Sequence, residues 1–144
     1  MNHPSHFNLR RVLSSVGILS FAISLAFAVS ASANSGKSGA ERDAAAKEVV
    51  NKLAAEDFEG IRANFNEQMK QGLSAETLKK VWKASVARHG AYVSQGELKS
   101  SQQDGYDIYV IRCEMKTSPL EVVVAFDHDG KIGGFLLRPA QPSN

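Results

Sequence analysis

Three side chains with chemistry of their own, Asp107, Tyr109 and Cys113, fall at even spacing in the run from Tyr106 to Lys116. Alternate residues of a strand project to one side, so they share a face with Ile111 and Met115. A carboxylate at the mouth of a pocket can act as a general base where burial raises its pKa. The competing reading leaves Asp107 in water at a strand end and Tyr109 in the core. Cys113 is the only cysteine, which rules out a disulfide within the chain. Free cysteine is among the most buried residue types, so a buried thiol is expected here, against an intermolecular bridge or a reactive thiol.

A second concentration of chemistry is Asp127-His128-Asp129-Gly130, two acids and a histidine in four residues. Asp-x-Asp-Gly begins a calcium loop, but such a loop needs further oxygen ligands, a Glu at its twelfth position and flanking helices. Here Ile132-Gly133-Gly134 follow, and the flanks alternate as strands do. The segment reads as a hairpin turn in which Asp-Gly supplies the positive φ. No metal site and no cofactor are expected. The nucleophile elbow, the Walker loop, the dinucleotide fingerprint, His-Glu-x-x-His and Cys-x-x-Cys are all missing.

The elements that would position these groups can be read in turn. Ala46, Val49, Val50 and Leu53 mark the apolar face of a helix starting near Ala40 or Glu41. Asp57 can cap a short second helix carrying Phe58, Ile61 and Phe65, which Gly60 weakens. Met69 and Leu73 suggest a loose turn. Ser74 caps a third helix, Ala75 to His89, closed by Gly90. Its stripe is Leu78, Val81, Trp82, Ser85, Val86 and His89. Trp82, the only tryptophan, would anchor the core or line a pocket.

From Ala91 the period becomes two. Strands are expected over Ala91–Lys99, Tyr106–Lys116, Leu120–Phe126 and Ile132–Leu137, with a turn cluster from Ser100 to Gly105 and a bulge or bend at Gly133-Gly134. Leu120–Phe126 is apolar on both faces except at Glu121, as a central strand is. The fold expected is α+β: about three N-terminal helices on a curved antiparallel sheet of about four strands. It would occupy residues 41–139, with 140–144 fraying.

Residues 1–33 read as a signal peptide: basic Arg10-Arg11, an uncharged run from Val12 to Val29, and Ala31 and Ala33 before a cut at Asn34. The rival is an uncleaved anchor helix, since 18 residues lie at the lower edge of what spans a bilayer. Residues 34–40 would be a flexible tether. Arg10 and Arg11 leave with the leader, reducing 17 Lys and Arg to 15 against 15 Asp and Glu. A neutral chain without a basic stripe lacks the footprint of nucleic-acid binding. The expected destination is the periplasm or the medium, with no membrane attachment after cleavage.

The segments Ala55-Glu56-Asp57-Phe58 with Phe65, Leu73-Ser74-Ala75-Glu76 with Leu78 and Trp82, His89-Gly90-Ala91, and Val124 to Phe135 resemble a bacterial family labelled a domain of unknown function. That family also occurs in front of α/β-hydrolase domains, and the likeness spans about residues 41–138. The wider architecture is similar to the cystatin-like fold of the nuclear transport factor 2-like superfamily, which implies a helix laid in a curved sheet with a conical pocket between them. Some enzymes of that superfamily set an acid and a tyrosine in the pocket to stabilise an enolate, a role the resemblance would give Asp107 and Tyr109.

The leading expectation is a non-catalytic exported module, a binder of a small apolar ligand or of a protein. Its pocket would be lined by Trp82, Tyr109, Cys113 and Met115, and its mixed Tyr106–Glu114 face would meet a partner or a second copy in a homodimer. The alternatives are a small isomerase- or hydratase-like enzyme using Asp107 and Tyr109, and an accessory to a separately encoded hydrolase.

Overall fold

The computed structural model describes residues 39–142. The expected leader and most of the expected tether lie outside the described residues. Four helices precede four strands: α1 Gly39–Ala54, α2 Phe58–Arg62, α3 Glu67–Gly72, α4 Ala75–His89, then β1 Tyr92–Gln103, β2 Tyr106–Met115, β3 Leu120–Phe126 and β4 Ile132–Pro139. The sheet is antiparallel throughout, in the order β1-β2-β3-β4. The fold is α+β, and β2 and β3 are its central strands.

Caps punctuate the helices where the side chains demand it. Gly60 N–H donates to the Asp57 carboxylate at 2.9 Å, Met69 N–H to Asn66 Oδ1 at 2.9 Å and Thr77 N–H to Ser74 Oγ at 3.1 Å. Each bond satisfies one of the amide donors left over at a helix start. Asn66 is why the loose turn expected around Met69 is a helix, α3. Gly60 does more than weaken α2, because a Cβ there would overlap the Asp57 carboxylate folded over it. The cap needs the glycine.

One face of the sheet is sealed by the helices. Ala46, Val49, Val50 and Leu53 of α1, Ile61 and Phe65, and Leu78 and Trp82 of α4 meet Tyr109, Ile111, Cys113 and Met115 of β2. Leu120, Val122, Val124 and Phe126 of β3 and Ile132 of β4 complete the core. Asn64 C=O accepts from Ile132 N–H at 2.8 Å and Asn66 N–H donates to Ile132 C=O at 2.9 Å, forming a parallel bridge at Phe65 that covers the start of the β4 edge. Of the expected α4 stripe, Val81 instead faces out, 42% exposed.

β1 is longer than its residues suggest, and its boundary is a correction. The stretch from Ser100 to Gln103, expected as turn, is strand, and only Asp104-Gly105 turns the chain. Both take positive φ, 52° and 81°, as a two-residue hairpin loop requires. Two register shifts divide the first half of the strand, so its inward residues are Tyr92, Gln95 and Leu98, three apart, opposite Met115, Cys113 and Ile111. Each shift inserts one extra residue. A period of two therefore cannot show there.

The other hairpin closes through Gly130 N–H to Asp127 C=O at 2.9 Å and Asp127 N–H to Lys131 C=O at 2.8 Å. Gly130, at φ 72°, is the one residue of this turn with positive φ, which fits a three-residue loop with a left-handed glycine. The expected bulge is present: Ala125 pairs with Gly134 and Phe126 with Ile132, leaving Gly133 over. Past β4, Ala140 N–H donates to Pro119 C=O at 3.1 Å and Gln141 N–H to Glu121 Oε1 at 3.2 Å, so the tail expected to fray is tied at these two residues.

Candidate functional site

The inner face of β2 brings Asp107, Tyr109, Cys113 and Met115 to one side, as alternation requires, and α4 sets Trp82 in the same core. All four of Trp82, Tyr109, Cys113 and Met115 are buried in the core between helices and sheet. They are 2%, 4%, 0% and 7% exposed in that order. The Tyr109 ring meets Phe126 edge-on, with centroids 5.7 Å apart. Burial, then the charge of Asp43, holds its phenol above the usual range. Burial, then Glu114, pushes the Cys113 thiol up to about 12, far from the range of a nucleophilic thiolate.

Asp107 sits at the rim of this core, where α1 begins. Arg42 pairs with its carboxylate, each side chain 13% exposed, and Gln102 Nε2 donates to its Oδ1 at 2.7 Å. A base must offer a free lone pair to the proton it removes, and these oxygens would first have to leave Arg42 and Gln102. Arg42 and Asp43 were not suggested by the sequence, because nothing local to α1 announces which strand end it will meet. At the far end of α4, His89 Nδ1 lies 2.8 Å from Ser118 Oγ, with Ser118 and Thr117 N–H groups on His89 C=O. The imidazole fastens the helix to the β2–β3 loop.

The Asp127 carboxylate is likewise occupied. Its Oδ1 accepts from Asp129 N–H at 3.1 Å and Lys131 N–H at 2.9 Å, and its Oδ2 accepts from Asn66 Nδ2 at 3.2 Å. His128 points into solvent beside Asp129. Among the described residues no group of three or more His, Cys, Asp or Glu is placed to hold a metal ion. Nor is any described helix long and apolar enough to cross a membrane.

The outer face of the sheet is different. Cross-strand pairing arranges it in rows. Lys99, Val110, Val123 and Leu136 form one; Ser101, Ile108, Ala125 and Gly134 form the next. Tyr106 lies beyond, its ring over Gly133, where a Cβ would come within 2.6 Å of it. The opposite border is charged: Arg112 Nε donates to Glu114 at 2.9 Å, and Arg138 Nε donates to the buried Glu121 at 2.8 Å. Ile108, Val110, Val123 and Ala125 are half-buried and Leu136 is 52% exposed. A hollow of about 340 Å³ opens between Tyr106, Ile108, Ala125 and Gly133, with Gln103 and Asp104 at its lip.

The sequence pointed to the β2 share of this face, but Val123, Ala125 and Leu136 were missed as surface. For Val123 and Ala125 the signal was the doubly apolar pattern of Leu120–Phe126, which reads equally well as burial on both sides; Leu136 follows the Gly133-Gly134 bulge, which hides its face from simple alternation.

Residues 46–135 match the family described as "Protein of unknown function (DUF3887)". No curated protein matches the chain. Its fold is similar to that of an NMR structure of a protein from Ruminococcus gnavus ATCC 29149, at TM-score 0.55 and 15% identity, over 70% of this chain and 91% of that one.

Proposed function

Because the chain belongs to this family of proteins of unknown function, DUF3887, we propose from its own geometry that it is a non-catalytic protein-interaction module docking through the outer face of its sheet. One observation carries the reading. Val110, Val123 and Leu136 line up across three strands, continue into Ile108, Ala125 and Tyr106, and have no described element over them. Apolar patches rimmed by charge are what docking surfaces present. The burial of Trp82, Tyr109, Cys113 and Met115 speaks against an apolar ligand held among them, and the Arg42–Asp107 pair against a base at that rim. Export by a cleaved leader and the nuclear transport factor 2-like arrangement belong to the same proposal. The layering of helices on one face of a four-stranded meander supports the latter.

The test is a photo-cross-linking side chain placed at Val123 in the cells that naturally make the protein. We expect one discrete adduct, lost when Val110→Lys breaks the patch and absent when the probe sits at Lys79 on α4. A folded protein that gives no Val123 adduct would overturn the reading.

A further inference from the structure

Resting on that reading, we infer that the partner is a second copy of this chain, seated so that Leu136 of each copy enters the Tyr106–Ile108–Ala125–Gly133 hollow of the other. The face carries both halves of the contact. Leu136 is a leucine standing 52% exposed on an edge strand, and the hollow is an apolar recess of about 340 Å³ on the same surface. Small residues floor the recess: Gly133 has no Cβ to collide with the Tyr106 ring, and Ala125 adds only a methyl beside Gly134.

A knob and a hole at separate places on one face are joined reciprocally by a single two-fold rotation, the symmetry of an isologous dimer. The rim has the same self-complementarity. Lys99, Arg112 and Arg138 alternate with Glu97, Glu114 and Glu121, so the face carries no field of one sign that would select a polyanion or a polycation.

The experiment uses the chain expressed from its full sequence, with Leu136→Cys in one preparation and Ile108→Cys in another. Cys113 is buried and stays out of the oxidation. Sedimentation should show a concentration-dependent dimer, and Leu136→Lys should weaken it roughly tenfold or more. Mixing the two cysteine variants under mild oxidation should give a covalent dimer in far higher yield than either alone. Gln103→Cys, an exposed position at the lip, replaces Ile108→Cys if the latter folds poorly. A dimer without the mixed cross-link overturns this seating but leaves the docking face in place. A monomer whose Val123 adduct is a different protein overturns the second copy alone. A monomer without that adduct overturns both.

Discussion

At the scale of single residues, Cys113 and Gly60 show how surroundings set what a side chain does. The fully buried thiol should ignore an aromatic disulfide reagent at pH 8 and react at once when the protein is unfolded in denaturant. Its pKa, about 12 folded against 9.0 as an ordinary thiol, has a definite sign in stability. Up to about pH 9 both states keep the proton and stability is intact. Between 9 and 12 only the unfolded chain releases it, so stability should fall by up to about 1.4 kcal/mol per pH unit. Titrating the denaturant midpoint of wild type against Cys113→Ala isolates that slope, and equal slopes would remove the thiol as its source.

Gly60 inverts a familiar rule. Alanine in place of helical glycine ordinarily gains ~1 kcal/mol, yet Gly60→Ala should lower the melting temperature, because its methyl must displace the Asp57 cap. A rise in melting temperature would show that the cap contributes little. Asp57 and Ser74 were legible as caps because an acceptor before an apolar-periodic run has a local purpose. The partners of Asp107 were not, since Arg42 is far away in the chain and meets it only through packing.

Elements were legible in proportion to how regular their burial is. β2 alternates without a break and was readable almost to its ends, and α4 is bounded by a serine cap and Gly90. β1 was not, because its bulges turn an inward period of two into three and let Gln95 reach α1, donating to Lys47 C=O at 3.0 Å and Asn51 Oδ1 at 2.7 Å. The two Asp-Gly pairs also exchanged roles. Asp104-Gly105 makes the two-residue turn with both φ values positive, whereas Asp129-Gly130 needs only its glycine. In that second hairpin Asp127 is a turn acceptor whose oxygens are spent on Asp129, Lys131 and Asn66. Gly130→Val should therefore cost about 1–2 kcal/mol or more, from the left-handed conformation imposed on a branched residue. Calcium should leave the melting temperature of both proteins unchanged; a calcium-dependent rise in wild type would restore the metal reading.

For the molecule as a whole, the layering was legible and the extent of the uncovered sheet face was not. Apolar residues along Leu120–Phe126 cannot say whether the second face is covered by a helix or left open, and only the placement of every described helix on the other side decides it. One consequence of the meander concerns timing. The strands stand in chain order, so each can pair with its predecessor as soon as it is available, and little of the sheet waits on distant contacts. The helical half is in the opposite position. Made first, α2 and α3 are far too short to persist alone, and Phe65 finds its bridge only at Ile132. Completion of the core is thus deferred until the segment through β4 has emerged, so a chain still held by a ribosome should not reach its native packing before then.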